Sequence, residues 1–186
     1  AVSVEGLNGL TLSWEHMDTG SGSRNSTVTS IAGDITVNSA GLTADTSVIT
    51  LKSRAGAVVV NGGVKTTGGK IVLEAATTIT SSGSVIRGSK LNANAGTGID
   101  IDTSVNTVEA NVSGTGDLDI TNDAGLDVVS ASTANGSITL ATASGNLVLT
   151  SVSAGGTMKD INATTSLGSI DVAGPVTTVD GLIKLD

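Results

Sequence analysis

Along most of this chain apolar and polar residues alternate in short runs separated by small, turn-forming residues. In Gly98-Ile99-Asp100-Ile101-Asp102, the two-residue side-chain period of a strand puts Ile99 and Ile101 on one face and Asp100 and Asp102 on the other. The pattern returns nineteen residues later in Gly116-Asp117-Leu118-Asp119-Ile120, laying Ile99 over Leu118, Ile101 over Ile120 and Asp100 over Asp119, and twenty residues later again in Gly136-Ser137-Ile138-Thr139-Leu140. A period near twenty, with units too small to bury a face alone, indicates stacked repeats.

The apolar pairs fall into two interleaved series. One runs Ile35/Val37, Val58/Val60, Ile79, Ile99/Ile101, Leu118/Ile120, Ile138/Leu140 and then Met158 with Ile161; the other runs Ile49/Leu51, Ile71/Leu73, Leu91, Val108, Leu126/Val128, Leu147/Leu149 and Ile170/Val172. Within each series the step lies between 17 and 23 residues. Each repeat thus carries at least two strands, and strands in equivalent places of successive coils must run parallel. The expected fold is all-β: a parallel β-helix of about eight coils, as a repeat architecture of this length requires. Residues 1–25 are expected as a cap or lead-in strands and 26–186 as the solenoid. Glycines ahead of strands, among them Gly33, Gly98, Gly116, Gly136 and Gly145, are expected to supply positive φ at tight corners. An antiparallel sandwich also has short strands roughly eight to twelve residues apart, yet does not require the repeat to stay in register.

Composition supports a narrow, layered interior. The 186 residues include 25 Gly and 1 Trp, no Phe, Tyr or Cys, and 38% hydrophobic residues that are nearly all aliphatic, with mean hydropathy +0.27. That is too apolar for a disordered Gly/Ser/Thr chain. Without cysteine there are no disulfides or thiolate metal sites. No apolar run reaches membrane-spanning length, and Ala1 to Leu10 lack the form of a signal peptide, so a leader removed or an excerpt of a longer chain is expected. A net charge of −8, with only 9 Lys and Arg scattered singly, argues against nucleic acid and anionic membranes as partners.

The candidate chemistry is sparse. Asp100, Asp102, Asp117 and Asp119, with Asp123 and Asp127 nearby, should project from one outer face, where stacked like charges repel; Ca²⁺ between layers would relieve them, and a solvated acidic stripe is the plainer reading. No calcium-repeat or EF-hand motif is present. Trp14 is the only aromatic and His16 the only histidine, so nothing in the sequence converges on a carbohydrate-processing centre, and no catalytic residues are assigned. Trp14, His16 and Met17 are expected to plug one end of the stack. Outward threonines, as in Thr27-Val28-Thr29 and Thr78-Ile79-Thr80, are too isolated for an ice-ordering ladder.

Units such as Gly136-Ser137-Ile138-Thr139-Leu140, Gly145-Asn146-Leu147-Val148-Leu149 and Gly168-Ser169-Ile170-Asp171-Val172 resemble the repeats of filamentous-haemagglutinin-like adhesins and giant β-strand-repeat proteins of bacterial surfaces. The resemblance covers roughly 30–186. It implies a right-handed β-helical shaft, exported to the cell surface and serving as a stalk or adhesive fibre without catalysis, with neighbouring repeats and matrix carbohydrate or protein as partners. The alternating Gly181-Leu182-Ile183-Lys184-Leu185-Asp186 ends without a cap signal. Leu182, Ile183 and Leu185 are therefore expected to meet Val2, Val4 and Leu7 of a following unit by strand addition.

Overall fold

The computed structural model describes residues 2–12, 25–44 and 48–186. Every strand pairing in it is parallel. Among the described residues there is no helix, and the chain winds through about eight turns of a β-solenoid. The two apolar series are its two sheets. Sheet 1 stacks strands including Ser26–Ser30, Ile49–Ser53, Lys70–Ala75, Lys90–Ala95, Thr107–Thr115 and Leu126–Asn135; sheet 2 stacks Ile35–Val37, Val58–Val60, Thr78–Arg87, Gly98–Ser104, Leu118–Asn122, Ile138–Thr142 and Ile161–Thr165. Registers match the sequence echoes, with Ile99 paired to Leu118 and Leu118 to Ile138.

Each strand buries alternate residues, so aliphatic side chains from both sheets form ladders down one core that extends from Leu12 to Ala163. Full burial of such a side chain contributes roughly 1.5–3 kcal/mol. That is comparable to the cost of ordering the two backbone residues that present it, about 1–2 kcal/mol each. Stability therefore depends on neighbouring coils closing each layer, and both ends of the stack are its weakest parts.

A third wall, absent from the two-series reading, changes place along the axis. In the early coils it follows sheet 2: Leu42–Ala44 pairs with Val64–Thr66, and that with the distal half of Thr78–Arg87. In the later coils it follows sheet 1: the distal half of Leu126–Asn135 pairs with Val152–Ala154, and that with Val176–Thr178. One inward row records the switch. It reads Leu42, Val64, Ile86, Thr103, Asn122, Thr142, Thr165, apolar where the third wall exists and polar where the chain instead turns sharply back to sheet 1. Sharp corners are tied by inward hydroxyls that donate to a carbonyl of the preceding coil, as the buried Ser53 Oγ does to Gly33 O (2.8 Å) and the partly exposed Thr165 Oγ1 to Gly145 O (2.9 Å).

Two expectations are corrected. Positive φ holds at only three of the five named corner glycines, Gly98 (+154°), Gly116 (+156°) and Gly145 (+78°); Gly33 and Gly136 are needed for space instead, since a Cβ on Gly136 would lie 1.8 Å from Gly116 O and one on Gly33 would lie 2.6 Å from Gly9 N. Met158 does not join the ladder with Ile161. It sits outside the strands at φ 53° with 80% of its surface exposed, and Ile161 with Ala163 continue the inward rows instead. Among the described residues of 1–25, two strands extend both sheets, Val2–Gly6 on Ser26–Ser30 and Leu10–Leu12 on Ile35–Val37.

Candidate functional site

The acidic residues singled out from the sequence do converge in part. Asp100 and Asp119 are cross-strand partners on the outer face of sheet 2. Together with Asp117, Thr78, Thr80, Gly98 and Ile99 they line a shallow groove of about 290 Å³. Partial burial raises the Asp119 carboxyl above the usual aspartate range, and repulsion from Asp100, Asp102 and Asp117 adds to the effect. Asp117 is engaged locally, its Oδ1 accepting from Ser137 N at 2.8 Å. Asp102 is paired with Thr121. Asp123 and Asp127 lie elsewhere: Asp123 forms an ion pair with Arg87 (3.3 Å) at a corner, and Asp127 stands opposite Thr107 on sheet 1. Among the described residues no three carboxylate or imidazole groups converge in a way that could hold a metal ion.

The basic residues, scattered singly in the sequence, are gathered by the stacking. Residues 50–95 contain Lys52, Arg54, Lys65, Lys70, Arg87 and Lys90 against one acid, Glu74, a net charge of +5; residues 96–186 contain eleven acids and two lysines, a net charge of −9. Cations spaced about one coil apart land on adjacent rungs: Lys70 pairs with Lys90, and Lys65 with Arg87. Three are neutralised by cross-coil carboxylates, in the pairs Lys52–Glu74, Lys90–Glu109 and Arg87–Asp123. The hydrogen bond from Lys90, helped by the charge of Lys70, holds Glu109 below the usual glutamate range. Half-exposed pairs of this kind contribute at most about 1 kcal/mol each. The charge reversal along the axis is readable in the sequence once residues are binned by coil rather than by run.

The residues expected to mediate end-to-end contact sit on the first and last described coils. Val2 and Val4 belong to the outermost strand of sheet 1, and Leu7 follows it with 77% of its surface exposed. At the opposite end Leu182, Ile183 and Leu185 are 64%, 39% and 41% exposed, although Ile183 and Leu185 occupy rungs whose equivalents Ile161 and Ala163 are fully buried. Trp14, His16 and Met17 lie outside the described residues. The threonines Thr11, Thr36 and Thr80 share one outward row of sheet 2, broken by Val59 and ended by Asp100.

Compared with protein-family models, curated proteins and solved structures, the chain matches none.

Proposed function

We propose that this chain is a length of structural shaft from an extracellular fibre, of the kind found in bacterial surface adhesins, with no catalytic role. The observation that carries the reading is the single, mainly aliphatic core, whose rungs run from Leu12 to Ala163 with parallel pairing of every strand among the described residues. Such a core propagates an axis and spaces whatever lies at its two ends, at roughly 4.8 Å per coil. The end-to-end partner is a coil of the same kind, because the rungs at Ile183 and Leu185 extend the ladder of Ile161 and Ala163 in register. Labelling of intact producing cells with antibody against coils 70–165 tests the placement. Surface signal equal to that after lysis supports the shaft, and signal only after lysis defeats it.

A second reading, in which separate copies add head to tail as filament subunits, draws on the continuation of the apolar rungs through Ile183 and Leu185, in register with Ile161 and Ala163. A heterologous contact that does not close propagates as a filament. Sedimentation velocity separates the two: concentration-dependent growth that Leu185→Lys abolishes supports subunit addition, and a single monomer species at every concentration rules it out.

A further inference from the structure

Apart from the acidic groove, a cleft of about 320 Å³ lies where sheet 1 turns sharply towards sheet 2. Two rows that run parallel to the axis build it. Outward residues of sheet 1 form one row, Lys52, Glu74, Asn94 and Asn111 on successive rungs. Arg54, Ala76, Gly96 and Ser113 form the other, each one residue beyond the paired positions Ser53, Ala75, Ala95 and Val112. Side-chain size collapses along the second row from guanidinium to methyl to hydrogen. Gly96 has no alternative, since a Cβ there would lie 1.9 Å from Ala76 O. The notch left by Ala76 and Gly96 is closed at one end by the exposed Arg54 and at the other by Ser113, whose Oγ donates to Ala95 O (3.3 Å).

The chemistry of the walls is uneven. Lys52 and Glu74 neutralise each other, and Asn111 Oδ1 accepts from Ser132 Oγ (2.8 Å), which fixes the amide with its N–H₂ free to donate. Arg54 makes none of the ion pairs formed among the described residues and lies in the segment of net charge +5. The cleft thus offers one planar cation without an ion-pair partner among the described residues, then two amides, Asn94 and Asn111, one inter-strand repeat of about 4.8 Å apart, with the Ser113 hydroxyl on the same rung as Asn111. An unpaired guanidinium selects a carboxylate, which it can hold bidentately. The repeat of amide donors and acceptors selects hydroxyls spaced by about the length of a sugar ring. An extended peptide offers same-face groups only every ~6.6–6.8 Å, out of step with these rungs.

We propose that this cleft binds an acidic oligosaccharide lying along the solenoid axis, with a uronate carboxylate on Arg54 and ring hydroxyls on Asn94 and Asn111. It is a property of the rungs between 52 and 113, and it stands whether or not the solenoid is a shaft. With no aromatic side chain among the described residues that line the cleft, recognition runs through hydrogen bonds and the single ion pair. Binding per site is therefore weak, with a dissociation constant on the order of 1 mM, and becomes firm only where repeated sites engage one polymer.

The test is titration of the isotope-labelled chain with trigalacturonate, with its neutral galactose counterpart of the same linkage, and with triglutamate, followed by amide chemical shifts. The expected result is saturable shifts confined to 52–54, 74–76, 94–96 and 111–113 with trigalacturonate alone. Arg54→Gln is expected to weaken binding about tenfold or more, the scale of a lost charge-assisted pair. Arg87→Gln, outside the cleft, is expected to leave it unchanged. Because Arg54 is exposed, the spectrum of Arg54→Gln itself reports that the fold is retained. No localised shifts at 10 mM trigalacturonate, equal binding of the neutral sugar or of triglutamate, or an unaffected Arg54→Gln variant would each overturn the proposal.

Discussion

Asn122 is the residue on which the change of cross-section turns, and replacing it by alanine should be among the costliest polar substitutions in the chain. It is fully buried on the inward row that carries Ile86 and Thr103 on one side and Thr142 on the other. Its Oδ1 accepts from Val105 N (3.0 Å) and Thr103 Oγ1 (2.8 Å), while its Nδ2 donates to the carbonyls of Val105 (3.2 Å), Ala124 (2.9 Å) and Gly125 (3.3 Å). This one amide satisfies the backbone of two successive corners at the level where the third wall after sheet 2 ends. Thr103 Oγ1 has a second partner in Thr121 O, and Ala124 is exposed enough for water to replace the amide. The groups left stranded are Val105 N–H and the Val105 carbonyl, with Gly125 partly so. At about 1–3 kcal/mol for each buried orphan, Asn122→Ala should cost about 3 kcal/mol, or about 6–12 °C in melting temperature for a chain of this size. Thr142 on the same row supplies the contrast, because its buried hydroxyl has no partner. Thr142→Val should therefore be neutral or stabilising. Urea unfolding followed by circular dichroism measures both, and native-state hydrogen exchange should place the Asn122→Ala loss between 98 and 142. A cost below about 1 kcal/mol, or a Thr142→Val variant as damaged as Asn122→Ala, would refute the view that side-chain satisfaction of the corners decides where the chain turns.

The remaining predictions use the same measurements. Gly136→Ala should destabilise by more than 2 kcal/mol or so, since its Cβ would lie 1.8 Å from a backbone oxygen that cannot move without shifting a whole coil; an unchanged melting point would show the coils to be less tightly stacked. Ile101→Asp, on a side chain 1% exposed, should unfold the neighbouring coils, and wild-type melting would mean that Ile101 points outwards. Asp119→Asn should stabilise the chain at pH 7 by about 0.5 kcal/mol, the scale of a relieved like-charge cross-strand pair. The raised carboxyl of Asp119 is protonated more readily folded than unfolded, so it makes stability fall as pH rises from the ordinary aspartate value towards its own. The gain from Asp119→Asn should accordingly vanish below about pH 3.9, and a gain that persists in acid would trace it to something other than charge. Millimolar Ca²⁺ should raise the melting point no more than Na⁺ of equal ionic strength if Asp100 and Asp119 form only a repelling pair, whereas a specific rise that Asp119→Asn abolishes would establish a calcium site.

Much of the architecture was legible because a solenoid repeats one local decision. Ile99, Leu118 and Ile138 announce their own stacking, and with period two the register of every sheet follows from the apolar pairs. The third wall was less visible. Leu42, Val64 and Ile86 sit in short three-residue strands or in the far half of a long one, and the row they begin turns polar at Thr103, so no single apolar series marks it. Met158 misled because its spacing fits the series while its backbone, at φ 53°, has already left the strand. Of the site chemistry, the pairing of Asp100 with Asp119 followed from the nineteen-residue echo. The cleft did not, because it arises from what Ala76 and Gly96 lack, and Arg54 gains its significance only from neighbours about twenty and forty residues away in sequence.

The stacking of coils along one axis is tested most directly by distances between spin labels along a single outward row. Thr36, Val59, Thr80, Asp100, Asp119, Thr139, Asn162 and Lys184 occupy successive rungs of sheet 2, and the chain has no cysteine to interfere with labelling at introduced ones. With one label at position 36 and the second at 119, 139 or 184, four, five and seven rungs away, electron–electron resonance should give mean distances near 19, 24 and 34 Å, rising by about 4.8 Å per rung. Distances that level off or shorten from 119 to 184 would mean that the chain folds back on itself, and would contradict the solenoid.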